Sequence, residues 1–141
     1  WPSMIQLVYV SVSTQPLTSV LAISDLLDQA RRNNERAGIT GALTFTRDHF
    51  VQILEGPAEA LDDLLVKLRA DPRHHDVKVL DRLPIVCRRF AQWGMIAPRF
   101  TPDHQQALQS LLDRADAGLE QYTDLLSRMI VEQDQKLPKA N

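Results

Sequence analysis

Three polar side chains occupy positions that the surrounding pattern assigns to the protein interior. Asn34 continues the apolar stripe of the first predicted helix, four residues beyond Ala30. Gln52 shares one face of a predicted strand with Phe50, and Tyr9 lies in another apolar strand. A buried amide without a partner costs about 1–3 kcal/mol, so each amide requires a hydrogen-bonding neighbour. Either amide could tie down backbone at the end of an element, and Tyr9 could be an ordinary core tyrosine. Together the three would suit a flat heterocycle that carries its own donors and acceptors.

No catalytic constellation accompanies these side chains, and we therefore expect no enzyme activity. The five glycines match neither glycine-rich phosphate-binding fingerprint. The four histidines lack the i, i+4 spacing of a helical metal-ligand pair, and adjacent His74 and His75 are more typical of a surface. Cys87 is the single cysteine, so it cannot form an internal disulfide, and the sequence offers it no evident base partner.

The composition of the 141-residue chain is that of an ordinary globular domain. Apolar residues make up 44% and charged residues 24%, which argues against wholesale disorder. The net charge of −2 lacks the basic excess expected of a nucleic-acid binder. Polar residues interrupt the uncharged first 24 residues, so no membrane-spanning segment is expected. The single cysteine favours a reducing, cytoplasmic location.

The order of hydrophobic patterns predicts an α+β fold. Strand patterns cover residues 5–11, 39–46, 49–54 and 77–83, with a further strand near 93–97. One helical pattern follows Thr18 and ends at Gly38, and a second begins at Gly56-Pro57 and ends at Asp71-Pro72. This β-α-β-β-α-β order plus one strand predicts a ferredoxin-like arrangement, with a mixed sheet and two helices on one face.

The last part of the chain differs from the rest. It predicts two amphipathic helices, at about 103–116 and 119–132, followed by a frayed polar tail. We therefore divide the chain into a domain at 4–100 and a helical extension at 101–141. Val8 and Val10 give the central strands a second apolar face, which the C-terminal helices or a second subunit must cover. The apolar stripe of the last helix looks wide enough to contact a second subunit as well.

Five sequence blocks closely resemble the BLUF family of blue-light sensors that use flavin. They are Leu7-Val8-Tyr9-Val10-Ser11, Asn33-Asn34 with Gly38-Ile39-Thr40-Gly41, Phe50-Val51-Gln52-Ile53-Leu54-Glu55-Gly56-Pro57, Asp71-Pro72-Arg73-His74, and Arg89-Phe90-Ala91-Gln92-Trp93-Gly94-Met95. The blocks occur in order between about Ile5 and about Ile96, with spacings that fit apart from slack in the loop after Ser11. The resemblance does not extend over the C-terminal helices.

The resemblance implies a non-covalently bound flavin, with FAD as the usual ligand and FMN or riboflavin as alternatives. The flavin ring would lie between the two core helices, against Tyr9 and Gln52. Asn34 would hydrogen-bond the polar edge of the pyrimidine ring, and Asn33 would reach the ring or the chain beyond it. The other implied contacts are Arg73 at a pyrimidine carbonyl, Lys67 at the ribityl or phosphate portion, and Ile23, Leu27, His74 and Met95 at the ring and the pocket edge. For the two cations, a solvated surface position is the alternative.

The same resemblance implies a photoactive relay of Tyr9, Gln52, Trp93 and Met95. Tyr9 would give an electron and then a proton to the photoexcited flavin. After their return, Gln52 would have rotated or tautomerised, which changes the hydrogen bonds around an oxidised, slightly red-shifted flavin until dark relaxation. Trp93 or Met95 would contact Gln52 in one state and yield to the other in the second state.

These inferences describe a blue-light photoreceptor that signals to a separate, unidentified downstream protein. The stretch after Met95 is too short for a cyclase or phosphodiesterase domain. We expect a homodimer or higher homo-oligomer formed through the C-terminal helices. The alternatives are a small phosphatase, an RNA-binding sheet and a light-insensitive BLUF-like interaction module. Scattered phenylalanines and the negative net charge disfavour the RNA-binding sheet.

Overall fold

The computed structural model describes residues 3–17, 24–91 and 101–136. The elements in these ranges are β1 (Met4–Ser13), α1 (Ser24–Ala37), β2 (Thr40–Phe45), β3 (His49–Pro57), α2 (Ala58–Arg69), β4 (His74–Pro84), α3 (Pro102–Leu112) and α4 (Leu119–Lys136). Helix α3 ends before its predicted boundary at 116, and α4 continues beyond its predicted end at 132. The predicted first helix start near Thr18 and the predicted strand near 93–97 lie outside the described residues. None of the helices in these ranges has both the length and the apolar character needed to cross a membrane.

The four described strands form one sheet in the order β2-β3-β1-β4. The α+β, ferredoxin-like prediction is confirmed, but every neighbouring pair of these strands is antiparallel, whereas a mixed sheet was expected. The reason is the order of the strands. A helical crossover makes β1 parallel to β2, and β3 to β4, but in each case an antiparallel strand lies between the two.

Both faces of the sheet are buried, and each has its own core. One face packs against α1 and α2 through Leu7, Leu27, Phe50, Leu54 and Leu61, among others. The opposite face carries Val8, Val51 and Ile53, which pack against side chains of α3 and α4. The C-terminal helices therefore cover the second apolar face, as the strand pattern requires.

The apolar stripe of α4 is used by this contact. Its members Leu119, Tyr122, Leu126, Met129 and Ile130 are all buried within the single chain. The expectation that this stripe also leaves room for a second subunit is therefore not met, because the stripe is buried in one core cluster with the sheet, Phe90 and α3. Val131, which follows the stripe, is an exposed apolar residue on α4.

Two local contacts position β2 against β3 and α4 against β4. Gly41 allows β2 to approach β3 closely, since a Cβ there would lie 2.0 Å from the carbonyl oxygen of Ile53. Asp81 in β4 caps α4 from outside the helix, because its Oδ2 accepts a hydrogen bond of 2.8 Å from the backbone N–H of Leu119. A carboxylate at this end of a helix satisfies an unpaired N–H and interacts favourably with the helix dipole.

We predict that Asp81→Ala lowers the free energy of unfolding by about 1 kcal/mol, the usual effect of losing an N-terminal cap. Asp81→Asn keeps an acceptor oxygen and should restore most of the loss. Urea denaturation measures both variants. Asp28→Ala, which removes an exposed carboxylate of α1, is the control and should change little. Equal stability of Asp81→Ala and the control would show that this contact does not hold α4.

Candidate functional site

A cavity of about 710 Å³ lies between α1, α2 and the sheet. Its volume is in the range of sites that bind cofactors and other small molecules. The apolar part of its lining includes Leu26, Ala30, Ile39, Leu43, Phe50 and Leu64. The polar part is contributed by α1, the centre of the sheet, α2 and the loop before β4. Such a lining is suited to a flat, largely apolar ligand with hydrogen-bonding groups at its edge.

Most of the predicted site residues meet at this cavity. Its lining includes Tyr9, Asn33, Asn34, Gln52, Lys67, Arg73 and His74. Leu27 is not among the described lining residues. It is buried in the core beneath α1, and Leu26 lines the cavity instead, because successive helix residues differ by about 100° in direction. Ile23, Trp93 and Met95 lie outside the described residues.

Tyr9 and Gln52 are direct partners across the sheet. They stand opposite each other in the register of β1 and β3, and the Tyr9 hydroxyl donates a hydrogen bond to Gln52 Oε1. Both side chains are almost fully buried, with 3% and 5% of their surface exposed. The amide therefore presents its acceptor end to the phenol, and its Nε2 end is a donor group.

The surroundings of Tyr9 favour its neutral form. Burial raises the pKa of the Tyr9 phenol well above its ordinary value, and the negative charge of Asp71 raises it further. The hydroxyl consequently carries its proton at neutral pH and can donate it to Gln52. Asp71 itself stays ionised, because hydrogen bonding to Arg73 lowers the pKa of its carboxyl group.

His74 is held at the cavity edge by both of its ring nitrogens. Nδ1 lies 2.7 Å from the Ser11 hydroxyl, and Nε2 lies 2.5 Å from the backbone carbonyl of Leu68. Because a carbonyl group only accepts, Nε2 donates to Leu68, and the Ser11 hydroxyl, which can donate or accept, pairs with Nδ1. The His74 ring contacts Tyr9 and Phe50 in edge-on geometry. At the cavity edge, the His74 ring is therefore packed against other rings, and both of its nitrogens are hydrogen-bonded.

Arg73 links the two sides of the cavity. Its guanidinium binds the Asp71 carboxylate, with Nε 2.9 Å from Oδ1, and Nη2 donates to Gln29 Oε1 of α1 at 3.1 Å. Asp71 and Gln29 also line the cavity, and neither was among the predicted site residues. The sequence did contain a signal for Asp71, because a carboxylate two residues away from an arginine, as in Asp71-Pro72-Arg73, can form an ion pair with that arginine. Nothing in the sequence pointed to Gln29.

The residues present fit a flavin. Asn34 is a buried amide, only 2% exposed, in the cavity wall, and an amide in this position can hydrogen-bond the edge of a heterocycle. Tyr9 and Gln52 add a second polar group in the floor formed by the sheet, and Lys67 and Arg73 provide cations for ribityl or phosphate oxygens. In the described part of the chain, no three His, Cys, Asp or Glu side chains come together in a way that could hold a metal ion.

Comparisons with known proteins identify the family. A family model described as BLUF, sensors of blue-light using FAD, matches residues 4–96. A photoactivated adenylate cyclase subunit beta from Euglena longa is 41% identical over 90 residues, which make up 63% of this chain and 10% of that protein. The blue light- and temperature-regulated antirepressor BluF of Escherichia coli (strain K12) is 37% identical over 104 residues, 72% of this chain and 25% of that protein.

The chain thus spans about a tenth of the cyclase subunit and a quarter of the antirepressor. Among solved structures, the dark state of BlrB, a BLUF protein, is similar to this chain with a TM-score of 0.71 and 34% identity. That likeness covers 93% of this chain and 97% of BlrB. Since the family model covers most of the chain, including the strands that carry Tyr9 and Gln52, the chain belongs to the BLUF family of flavin-binding blue-light sensors.

Proposed function

We propose that this chain binds FAD non-covalently in the cavity between α1, α2 and the sheet, and that its light signal begins at the Tyr9–Gln52 hydrogen bond. The observation that carries the proposal is this buried hydrogen bond in the wall of a cavity of suitable size. FMN and riboflavin share the ring of FAD, so the same lining would accept them.

In this proposal the chain orients the flavin from several elements. Asn34 and Asn33 on α1 bind the polar edge of the ring, and the apolar lining packs against its faces. Lys67 on α2 steadies the ribityl or phosphate portion. Arg73 is already bound to Asp71 and Gln29, which fixes its guanidinium at the cavity and prepares it to bind a ligand carbonyl.

When bound, the flavin supplies an electron acceptor that blue light makes strongly oxidising. Tyr9 would give up an electron and its hydroxyl proton and would recover both in the return step. Because burial raises the pKa of its phenol, Tyr9 holds that proton at the start of the cycle. In this proposal, the hydrogen bond from the Tyr9 hydroxyl to Gln52 Oε1 belongs to the state before illumination. Rotation or tautomerisation of this amide would exchange its donor and acceptor ends. The pocket then keeps a changed hydrogen-bond pattern until thermal relaxation. Trp93 and Met95 are proposed to exchange places beside Gln52.

We further propose that the signal leaves through α3 and α4 to a separate protein in the cytoplasm, and that this chain carries no enzyme activity of its own. Similarity to the solved structure of BlrB, described as a BLUF protein, supports the sensor role. The exposed thiol of Cys87 suits a reducing compartment. A homodimer, also proposed, would need a surface outside the buried stripe of α4.

We predict that the purified protein is yellow and that blue light shifts its visible absorbance modestly to the red, with full recovery in the dark. Tyr9→Phe and Gln52→Leu should retain flavin but abolish the shift, because each removes one end of the hydrogen bond. Tyr122→Phe, at the buried tyrosine on the opposite sheet face, is the matched control and should keep it. Cys87→Ser should also photocycle normally. A normal photocycle in Gln52→Leu would contradict the proposed relay.

We predict that Asn34→Ala weakens flavin binding about tenfold, the effect of one lost hydrogen bond to a ligand. Asn33→Ala, at the more exposed neighbour on α1, should have a smaller effect. Flavin fluorescence during titration gives both dissociation constants. A wild-type protein that binds no flavin would instead favour the light-insensitive interaction module.

We predict that the raised pKa of Tyr9 is visible as a pH dependence. In the unfolded chain a tyrosine ionises near pH 10, whereas the folded phenol keeps its proton to higher pH. Its contribution to stability is therefore complete below about pH 10 and falls as the pH rises further, because the unfolded state releases the proton first. Ultraviolet tyrosinate absorbance of native protein tests this, with Tyr9→Phe as reference. Ionisation of Tyr9 at its ordinary pKa would refute it.

A further inference from the structure

The carboxylate of Glu55 is a buried junction on the sheet face opposite the cavity. It has no exposed surface, and four donors converge on it. Oε2 accepts from the backbone N–H of Arg89 at 2.7 Å and from Gln6 Nε2 at 3.0 Å. Oε1 accepts from the backbone N–H of Phe90 at 2.7 Å and from the Thr40 hydroxyl at 3.4 Å. Glu55 thus fastens residues 89–90 to the sheet through two backbone hydrogen bonds.

A neighbouring arginine strengthens this junction. The Arg88 guanidinium donates to the Thr40 hydroxyl at 3.0 Å, to the main-chain carbonyl of Glu55 at 3.2 Å, and to the carbonyl of Gly38 at 2.6 Å. A buried carboxylate is unfavourable unless it is hydrogen-bonded and compensated by nearby positive charge. Four donors satisfy the Glu55 side chain, and Arg88 binds the main chain of the same residue, whereas an apolar side chain in this position could not bind the backbone.

The residues that Glu55 holds are also attached to α4. The Arg89 side chain donates from Nε to the Ser127 hydroxyl at 3.1 Å and from Nη2 to Asp124 Oδ1 at 2.9 Å. The Phe90 ring, 1% exposed, is buried in the core cluster formed with α4. Residues 89–90 therefore connect β3 to α4 through a polar and an apolar contact.

The other end of this connection is the photoactive pair. Gln52 precedes Glu55 by three residues on β3, so the two side chains lie on opposite faces of the same strand. We propose that Glu55 is a positioning residue that couples the strand carrying Gln52 to α4, through the backbone N–H groups of Arg89 and Phe90. This inference rests on the proposed light-sensing function. It assigns the transmission step to groups that do not touch the flavin.

Glu55→Gln is the direct test, because the amide has nearly the same shape but presents a donor group to a site where every partner donates. We expect flavin binding and the size of the red shift to remain near wild type, since Tyr9 and Gln52 lie on the other face. Hydrogen exchange at the amides of Arg89 and Phe90 should become about tenfold faster in the dark. The light-induced exchange change in α4 should fall by at least about half, and dark recovery should change in rate.

Two further variants separate the coupling from general stability. Glu59→Gln, at an exposed acid in the first turn of α2, should leave every measurement unchanged. Arg89→Gln should leave the amides of residues 89–90 protected while weakening the light response of α4. If the two contacts act in series, Glu55→Gln with Arg89→Gln should lose no more response than the more impaired single variant.

The outcomes distinguish this inference from the proposed function. A full light response of α4 in Glu55→Gln would overturn the coupling role, even with a normal red shift. Absence of any red shift in the wild type would refute the light-sensing function and the coupling role with it. In that case, slow exchange at the amides of Arg89 and Phe90 would still establish the backbone contact alone. If Glu55→Gln does not fold, Arg89→Gln decides, and its unimpaired light response would overturn the coupling.

Discussion

The antiparallel register of β1 and β3 is the constraint on which the rest of the structure depends. It places Tyr9 directly opposite Gln52, and the phenol binds the amide within the sheet itself. A shift of one residue would turn each side chain to the other face, which is filled by α3 and α4. Apolar neighbours on both faces fix the register, so the packing of the whole domain determines the geometry of a single hydrogen bond.

The two faces of β3 carry polar side chains with different hydrogen-bonding properties. Toward the cavity, Gln52 offers a neutral amide whose donor and acceptor ends can be exchanged. Toward the C-terminal helices, Glu55 offers a carboxylate that only accepts and is surrounded by donors. The first side chain can change its hydrogen-bond pattern, whereas the second has one satisfied arrangement. This difference suits the proposed role of β3, in which the hydrogen bonds of Gln52 change on the cavity face while Glu55 keeps residues 89–90 bound on the other face.

Sequence patterns predicted the helices and strands that the structure describes, and they singled out three polar residues of the cavity, because strand alternation and helical periodicity indicate which way a side chain points. The other predicted cavity residues came from the family resemblance. Tyr9, Asn34 and Gln52 stood out as polar residues within such patterns, and the family resemblance supplied the ligand. Helical periodicity assigned Leu27 to the buried stripe, and Leu27 is buried. Its contact with the flavin ring was implied by the family resemblance, whereas Leu26 lines the cavity. Hydrogen bonds from a side chain to the backbone of another element, such as Asp81 to Leu119 or His74 to Leu68, cannot be recognised from the periodicity of the sequence. They depend on the tertiary arrangement, which also inserts an antiparallel strand between each parallel pair.

Burial has two consequences for the Tyr9–Gln52 pair. It raises the pKa of the Tyr9 phenol and so favours the neutral form that donates to Gln52. It also removes water as a substitute partner, so an amide that leaves the phenol must find another protein or ligand group. A new orientation of Gln52 can persist only if surrounding groups offer matching donors and acceptors. In the proposed relay, the lifetime of the signal would therefore depend on the polar groups around the cavity and on how firmly the sheet holds them.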